Sequence, residues 1–441
     1  MKFRDVVHGA IDFGTDVTAE LLEELVHTPE VQRLRFMRML NQDAMYMQEL
    51  ATARRFAHAV GTCHTALQVA RRSGIGQDDV STIAAAALLH DIGIHPYGHL
   101  VETELRRRDP DVSHESLVRQ LIFGTYHPLN LYHQILPARS LRVAAVLQKF
   151  GVSADKLISL VSPDAGGASA IAGPMDFDNI DNVHRMAALL GYSGAAENLR
   201  ELVGHLQLGT DLSLAIAVGG LAAARRWLDF RELIYTQMIG HPSCVAYNAY
   251  LQDLVREAVK GDVVTARDWW LSDVEFEQKV EASEALRELA IQQKVGCLYS
   301  LIDYAWIEAD PASAVGSPEQ ATLGEQVVDA IGPPPSHGLA QRVWVERDKT
   351  TRQLTLEVGG RQISLGRPSL VVLVALINPG IVAKRSLKEL RAERGLRNWR
   401  KHVASCIREQ GLLEVSQLLF PEDIEARIAR RSGSHGQLSL L

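Results

Sequence analysis

The chain has 441 residues, of which 46% are apolar, and a formal charge of −7. That length suits two to four domains, and the composition argues against global disorder. Charge is uneven: from Ser336 onward there are 18 Lys/Arg against 10 Asp/Glu, so a basic tail follows an acidic body.

The start, Met1-Lys2-Phe3-Arg4-Asp5, lacks the apolar segment of a secretory signal, and no apolar run approaches the ~18 residues of a membrane span. Four scattered cysteines, without a CxxC pair, argue against a disulfide scaffold or a zinc finger. The expected setting is cytoplasmic, with no membrane partner.

Residues 1–309 read as one helical domain. Thr28-Pro29 signals a helix start, and Val31, Leu34, Met37 and Leu40 then supply a stripe at helical spacing. Residues 56–72 continue the pattern. Asp78-Asp79 opens a strongly apolar helix ending in His90-Asp91. Further helices are expected at 114–123, 139–150, 181–191, 197–206, 220–239 and 244–259. Residues 310–337, bounded by Asp310-Pro311 and Gly332-Pro333-Pro334-Pro335, read as a linker, with room for a short helix at 319–331. Beyond it RVWVER, QLTLEV and RQISL alternate with period two, which predicts a small meander. Leu370–Ile377 suits a buried strand or a short core helix. Helices are expected at 384–410 and 421–431. The fold class is therefore mainly α, with a smaller α+β domain at 338–441.

Eleven of the 16 histidines precede residue 186. An aspartate at the end of an apolar helix is costly to bury unless it is paired or bound to a cation, and a helix C-terminus favours positive charge nearby. His90-Asp91, with His58 before and Asp178 after, is a candidate ligand set for a divalent metal (Mn, Fe, Mg, Zn or Ni). A lone His-Asp pair carries little weight; the ordered set of His, His-Asp, His and Asp carries the argument.

Several segments together carry a family resemblance: Asp5-Val6-Val7-His8-Gly9, Thr28-Pro29-Glu30-Val31-Gln32-Arg33-Leu34-Arg35, Arg55-Phe56-Ala57-His58-Ala59-Val60-Gly61, the run His90–His99, Ser113-His114-Glu115 and Asp176-Phe177-Asp178. Residues 1–290 resemble the HD-domain deoxynucleoside triphosphate triphosphohydrolases. The resemblance implies a helical metal-dependent phosphohydrolase that converts a dNTP to deoxynucleoside and triphosphate. It implies His58, His90, Asp91 and Asp178 as metal ligands, Arg55 and Arg231 as phosphate contacts, His99 as a proton donor to the leaving oxygen, Glu102 as its orienting carboxylate and His114 as a second active-site histidine. It also implies a homo-oligomer, a nucleotide effector, and a role in dNTP-pool control or antiphage defence.

Departures from the family pattern bear on the sugar and phosphate pockets. Ile94 stands at a family histidine, with His95 beside it; Asn179 at a basic position; Asn182 and Ile239 at tyrosines; Met186 at a sugar-reading aspartate. They keep two alternatives open: an HD phosphatase or phosphodiesterase on another nucleotide, and a non-hydrolysing nucleotide- or nucleic-acid-binding regulator. Lys384, Arg385, Lys388, Arg391, Arg394, Arg397, Arg400 and Lys401 form a basic cluster that offers a nucleic-acid footprint or a solvated helix face.

Overall fold

A computed structural model describes residues 1–41, 43–126, 142–163, 169–296, 299–313, 320–335, 338–358, 361–379 and 394–434. Its helices are α1 (Val17–Val26), α2 (Pro29–Arg33), α3 (Arg55–Arg72), α4 (Gln77–Leu89), α5 (His99–Arg106), α6 (His114–Phe123), α7 (Val143–Lys149), α8 (Ala154–Val161), α9 (Phe177–Leu189), α10 (Ala195–His205), α11 (Leu221–Gly240), α12 (Pro242–Lys260), α13 (Asp273–Ala282), α14 (Arg287–Val295), α15 (Gln320–Ile331), α16 (Arg394–Glu409) and α17 (Pro421–Ser434). The strands are β1 (Lys2–Asp5), β2 (Gly9–Asp12), β3 (Leu206–Leu208), β4 (Leu214–Ile216), β5 (Ser300–Ala309), β6 (Ala340–Arg347), β7 (Leu354–Val358), β8 (Arg361–Leu365), β9 (Leu370–Asn378) and β10 (Val415–Leu419). No described helix is long and apolar enough to cross a membrane.

Helix α4 is the axis of the helical body. Every residue from Val80 to Leu89 is buried, which is why its sequence is apolar all round rather than striped. Helices α1, α3 and α8 enclose it, and α9 packs on the far side of α3. The candidate metal ligands His58 and His90 are thus carried on deeply packed helices.

The run from Thr28 behaves differently from its periodicity. Helix α2 stops at Arg33, and a 3₁₀ turn over Leu34–Phe36 replaces the expected longer helix. Arg33 accounts for the stop: its guanidinium donates to the carbonyls of Ile94 (2.6 Å), Trp270 (2.9 Å) and Leu271 (3.2 Å), and to that of Trp269. One half-buried arginine ties the loop after His90-Asp91 to residues 269–271, and desolvation lowers its pKa to about 9.

The C-terminal half corrects the expected boundaries. Ser300–Ala309 is not the end of the helical domain but an interior strand of a four-stranded antiparallel sheet, β10-β5-β9-β6. The stretch read as a linker contains α15, whose Leu323, Val327 and Ile331 cover one face of that sheet. Leu370, Val372, Val374 and Leu376 of β9 join that same layer with Trp399, Val403 and Ile407 of α16. Val371, Leu373, Ala375 and Ile377 point the other way, onto Ile424 and Ile428 of α17 and onto Val245 and Ala249 of α12. Both faces are buried, so β9 reads as an unbroken apolar run instead of an alternating one. The helical body itself supplies part of the sheet's cover, so 338–441 does not stand apart as a self-contained domain.

The meander is also corrected. Strand β6 pairs with β9, whereas β7 and β8 form a hairpin of their own. Leu354, Leu356, Val358 and Leu365 of that hairpin belong to the core of the helical body. The turn between β6 and β7 is thereby drawn down onto α11.

Of the basic cluster, Lys384, Arg385, Lys388 and Arg391 lie outside the described residues, as do the side chains of Arg394 and Arg397. Arg400 is spent internally. It donates to both oxygens of Asp303 (2.6 and 2.8 Å) and to Glu422 (2.5 Å), and stacks over Phe420. Lys401 is exposed.

Candidate metal centre

Helix α3 brings His58, the end of α4 brings His90, and the first turn of α9 brings Asp178. One ligand atom from each lies within 4.8 Å of the others. His58 Nε2 is 2.9 Å from Asp178 Oδ1, and His90 Nε2 is 3.8 Å from the same oxygen. His90 Nδ1 donates to the carbonyl of Ala87 at 2.8 Å, so Nε2 is the free acceptor. That Nε2 is buried and has no hydrogen-bond partner. An orphaned imidazole nitrogen beside a histidine and a carboxylate is the donor set a divalent cation needs, and the residues fit one.

Electrostatics agree with this geometry. Burial alone would lower His58, yet Asp178 and Asp181 outweigh it and raise it to about 10. The pocket favours a positive charge at that imidazole, and a cation can take the place of the proton.

Asp91 is beside the triad rather than within it. Its Oδ2 is 3.7 Å from His90 Nε2 and 2.5 Å from Arg55 Nη1. Against the cost of burial, Arg55, then His90 and His58, hold its carboxyl far below the usual range. Gly98 allows Arg55 to lie there: a Cβ on Gly98 would sit 2.9 Å from Arg55 Nη2, and the backbone φ is +60°. The glycine answers both the contact and the left-handed conformation.

A support layer lies behind the ligands, and reasoning from sequence assigned it no role. His58 Nδ1 donates to Asp181 Oδ2 at 2.7 Å, which turns Nε2 toward the site. Asp181 also accepts from His8 Nε2 at 2.6 Å and from Arg185 Nε and Nη2 at 2.9 and 3.0 Å. Arg185 in turn reaches Asp5 at 2.7 Å. The Asp5–His8 opening motif therefore orients a ligand from across the fold. The available signal was Asp181 three residues after Asp178, one turn along the same helix.

A second cluster sits at the start of α5 and α6. Ser113 caps α6 by accepting from Ser116 N (3.0 Å) and presents His114 as its first residue. His99 Nδ1 and His114 Nδ1 each lie 3.0 Å from Glu102 Oε2, and Arg106 donates to Oε1 at 2.6 Å. These atoms are also close enough to share an ion. With the carboxylate filled by two imidazoles and a guanidinium, the arrangement already satisfies itself as a hydrogen-bonded triad. The side chain of His99 is 67% exposed, which leaves its Nε2 open to a substrate, whereas that of His114 is 15% exposed.

Burial opposes both charges of the inner pair, but Glu102 raises His114 and His114 lowers Glu102. The signs define a window. A raised histidine stabilises fully below its ordinary 6.5 and loses that contribution as pH rises through its folded value. A lowered glutamate stabilises above its ordinary 4.5 and loses that contribution on acidification. Glu102→Gln should therefore cost most stability between those two values, with the difference from the parent shrinking on either side. Urea unfolding at stepped pH checks this; a pH-independent difference would contradict it.

Arg231 is buried on α11. It donates to the carbonyl of Asp348 at 3.0 Å and to Asn179 Oδ1 at 3.5 Å, while its Nε has no partner. Asn179, where the resemblance implied a basic side chain, donates instead to both oxygens of Asp176. Met186 is fully buried in the core and Asn182 Oδ1 is buried without a partner. Ile94 packs in the core. His95 is buried with neither ring nitrogen hydrogen-bonded, and burial lowers it to about 4.

Residues 55–146 match the family model described as HD domain. The matched segment begins at Arg55 and includes His58, His90, Asp91, His99, Glu102 and His114. Among curated proteins, the chain is similar to the uncharacterized protein YwfO of Bacillus subtilis (strain 168), 25% identical over 58% of this chain and 55% of that protein. It is also similar to the deoxynucleoside triphosphate triphosphohydrolase SAMHD1 of Bos taurus, 30% identical over 22% of this chain and 17% of the relative. The Homo sapiens SAMHD1 is 24% identical over 47% of this chain and 30% of its own length. The chain thus spans about half or less of the length of these relatives.

Proposed function

We propose that this protein is a metal-dependent phosphohydrolase of nucleotides and that its reaction is the conversion of a dNTP to deoxynucleoside and triphosphate. The observation that carries the reading is the His58–His90–Asp178 triad, its two histidines buried and its carboxylate half-buried, with the orphaned His90 nitrogen, and with Arg55 and His114 of the second cluster both acting on the adjacent Asp91. The name of the triphosphohydrolase relatives supports the choice of reaction.

In this reading His58, His90, Asp91 and Asp178 hold the ion, with Arg55 kept in place by Asp91. The identity of the ion is left among Mn, Fe, Mg, Zn and Ni. Bound there, a divalent ion supplies Lewis acidity toward a phosphate oxygen and lowers the pKa of water. Arg55 and Arg231 present planar guanidinium groups to the phosphate chain. His99, turned to solvent and oriented through Nδ1 by Glu102, gives a proton from Nε2 to the departing 5′-oxygen. His114 shares that carboxylate and contacts phosphate. Charge stabilisation and positioning carry the reaction.

A second reading is favoured by Met186. A buried thioether cannot hydrogen-bond a sugar hydroxyl, and such contacts are worth about 10⁴-fold in discrimination. The substrate would then be a different nucleotide, cleaved as a phosphatase or phosphodiesterase would. Product analysis separates the two. Purified protein is incubated with Mn²⁺, Mg²⁺ or Fe²⁺ and each dNTP, NTP and NMP, singly and mixed, with Asp178→Ala as control. Triphosphate plus deoxynucleoside, absent from the control, is the expected result. Orthophosphate without triphosphate would transfer the assignment to the second reading.

A further inference from the structure

The turn between β6 and β7, residues 348–352, lies against the start of α9 and the middle of α11. Three cations meet there. Arg231 Nη2 donates to Asp348 O at 3.0 Å, and Arg352 Nε reaches the same oxygen at 3.4 Å. Arg352 Nη1 also donates to Pro174 O at 2.8 Å, two residues before Asp176. The Tyr235 ring has Arg231 4.5 Å from its centroid and the Lys349 ammonium 5.8 Å from it.

The partners of these cations are poor in charge. Arg231 and Arg352 share a neutral carbonyl oxygen, an arrangement that brings two positive charges together without a carboxylate between them. Asp176, the acidic group that acts on Arg231, is already filled by Gly173 N, Asn179 N and Asn179 Nδ2. Glu346 is an electrostatic neighbour of Lys349. Arg231 is 1% exposed, yet its Nε is unpartnered. A buried guanidinium with an unpartnered N–H, next to two more cations, is the donor set that recognises a polyanion.

The turn is built to hold this position. Asp348 has φ +55°, an uncommon conformation for a residue with a side chain. It is locked by Asp348 N donating to Ser369 O at 2.7 Å and Ser369 N donating to Asp348 Oδ1 at 2.9 Å. Ser369 Oγ also donates to Thr351 O at 2.6 Å. Strain held this firmly concentrates at functional positions. The stretch Phe177–Asp181, which carries Asp178, has no lysine or arginine of its own. The cations beside it are Arg231 of α11, which reaches Asn179, and Arg352 of the C-terminal region, which reaches Pro174.

Resting on the phosphohydrolase reading above, we propose that the β6–β7 turn completes the substrate pocket, with Lys349 and Arg352 joining Arg231 to hold the phosphate chain of the nucleotide. The C-terminal α+β part is then a component of the substrate site and not an independent accessory.

The test uses inorganic tripolyphosphate as the probe, titrated calorimetrically into the full-length chain, together with nucleotide kinetics. Lys349→Ala removes an exposed side chain and is expected to fold normally; Lys349→Ala/Arg352→Ala removes both charges. Arg200→Ala, an exposed arginine on α10, controls for general charge. The double variant is expected to bind tripolyphosphate at least about tenfold more weakly. It should raise KM by a similar factor with kcat within about twofold, as loss of uniform binding requires. Lys349→Ala alone should show a smaller effect in the same direction, and Arg200→Ala none. Absence of tripolyphosphate binding by the parent, unchanged binding and KM in the variants, or an equal effect of Arg200→Ala would overturn the inference. If the parent binds the probe through these residues but releases no triphosphate from any nucleotide, the pocket stands and the activity reading falls. If turnover is present and indifferent to the double variant, the inference alone falls.

Discussion

Asp178→Ala is expected to release the bound metal and to reduce turnover at least about 10³-fold, a loss of about 4 kcal/mol of transition-state stabilisation. The reason is local. Asp178 Oδ1 lies close to both imidazole nitrogens that face the site, 2.9 Å from His58 Nε2 and 3.8 Å from His90 Nε2. Without it the two imidazoles are left with Asp91 alone, whose charge is already shared with Arg55, and the pocket loses half of the carboxylate charge that balances a divalent cation. The fold should survive, because His58 keeps Asp181 on its other nitrogen. Metal content, steady-state rates and circular dichroism on one preparation decide the matter. A variant that retains its ion would remove Asp178 from the ligand set.

Gly61→Ala tests the support layer and opposes two effects of different size. Gly61 is inside α3, where alanine is intrinsically better by about 1 kcal/mol. A Cβ there, however, would lie 2.2 Å from Asp181 Oδ1, 2.5 Å from Arg185 Nη2 and 2.8 Å from His8 Nε2. Those side chains are buried and mutually hydrogen-bonded, so none can withdraw without breaking a charged contact. Overpacking costs about 1–3 kcal/mol and disrupting a buried ion pair about 3–5. Steric conflict wins, and the substitution should destabilise by roughly 3 kcal/mol while weakening metal binding through the misplaced His58. Denaturant unfolding with and without added Mn²⁺ measures both. A gain of about 1 kcal/mol would show that propensity dominates and that the cluster is looser than drawn.

How much of this was legible beforehand follows from where the information resides. The convergence of His58, His90 and Asp178 follows the ordered set of His, His-Asp and Asp along the chain; of the three helices that carry them only α4 is apolar throughout, which is what marks His90-Asp91. Helices α3, α4, α6, α11 and α12 were legible because each buries a face or its whole surface at helical spacing. Ser300–Ala309 was not. A strand covered on both faces does not alternate, and the sequence YSLIDYAWIEA carries no period-two signal. Strands β7 and β8 were read as part of one meander with β6; that they pair only with each other and pack on the helical body leaves no mark at the level of local pattern. The same holds for the site. Asp181 is next to the motif in sequence, but its role depends on His8 and Arg185 arriving from other elements. Arg231 was assigned by resemblance alone; that it shares a carbonyl with Arg352, far along the chain, is a property of the fold.

The claim on which the rest depends is that His58, His90 and Asp178 hold a divalent ion. Equilibrium dialysis of the apo protein against Mn²⁺, followed by elemental analysis, addresses it without assuming a substrate. His90→Ala is the informative comparison, because His90 Nε2 has no other partner and the hydrogen bond lost with the ring is the single one from Nδ1 to the Ala87 carbonyl. The account predicts tight binding of one ion per chain by the parent and its loss in His90→Ala, with the apo form still folded by circular dichroism. Binding that persists undiminished in His90→Ala, or its absence from the parent, would contradict it.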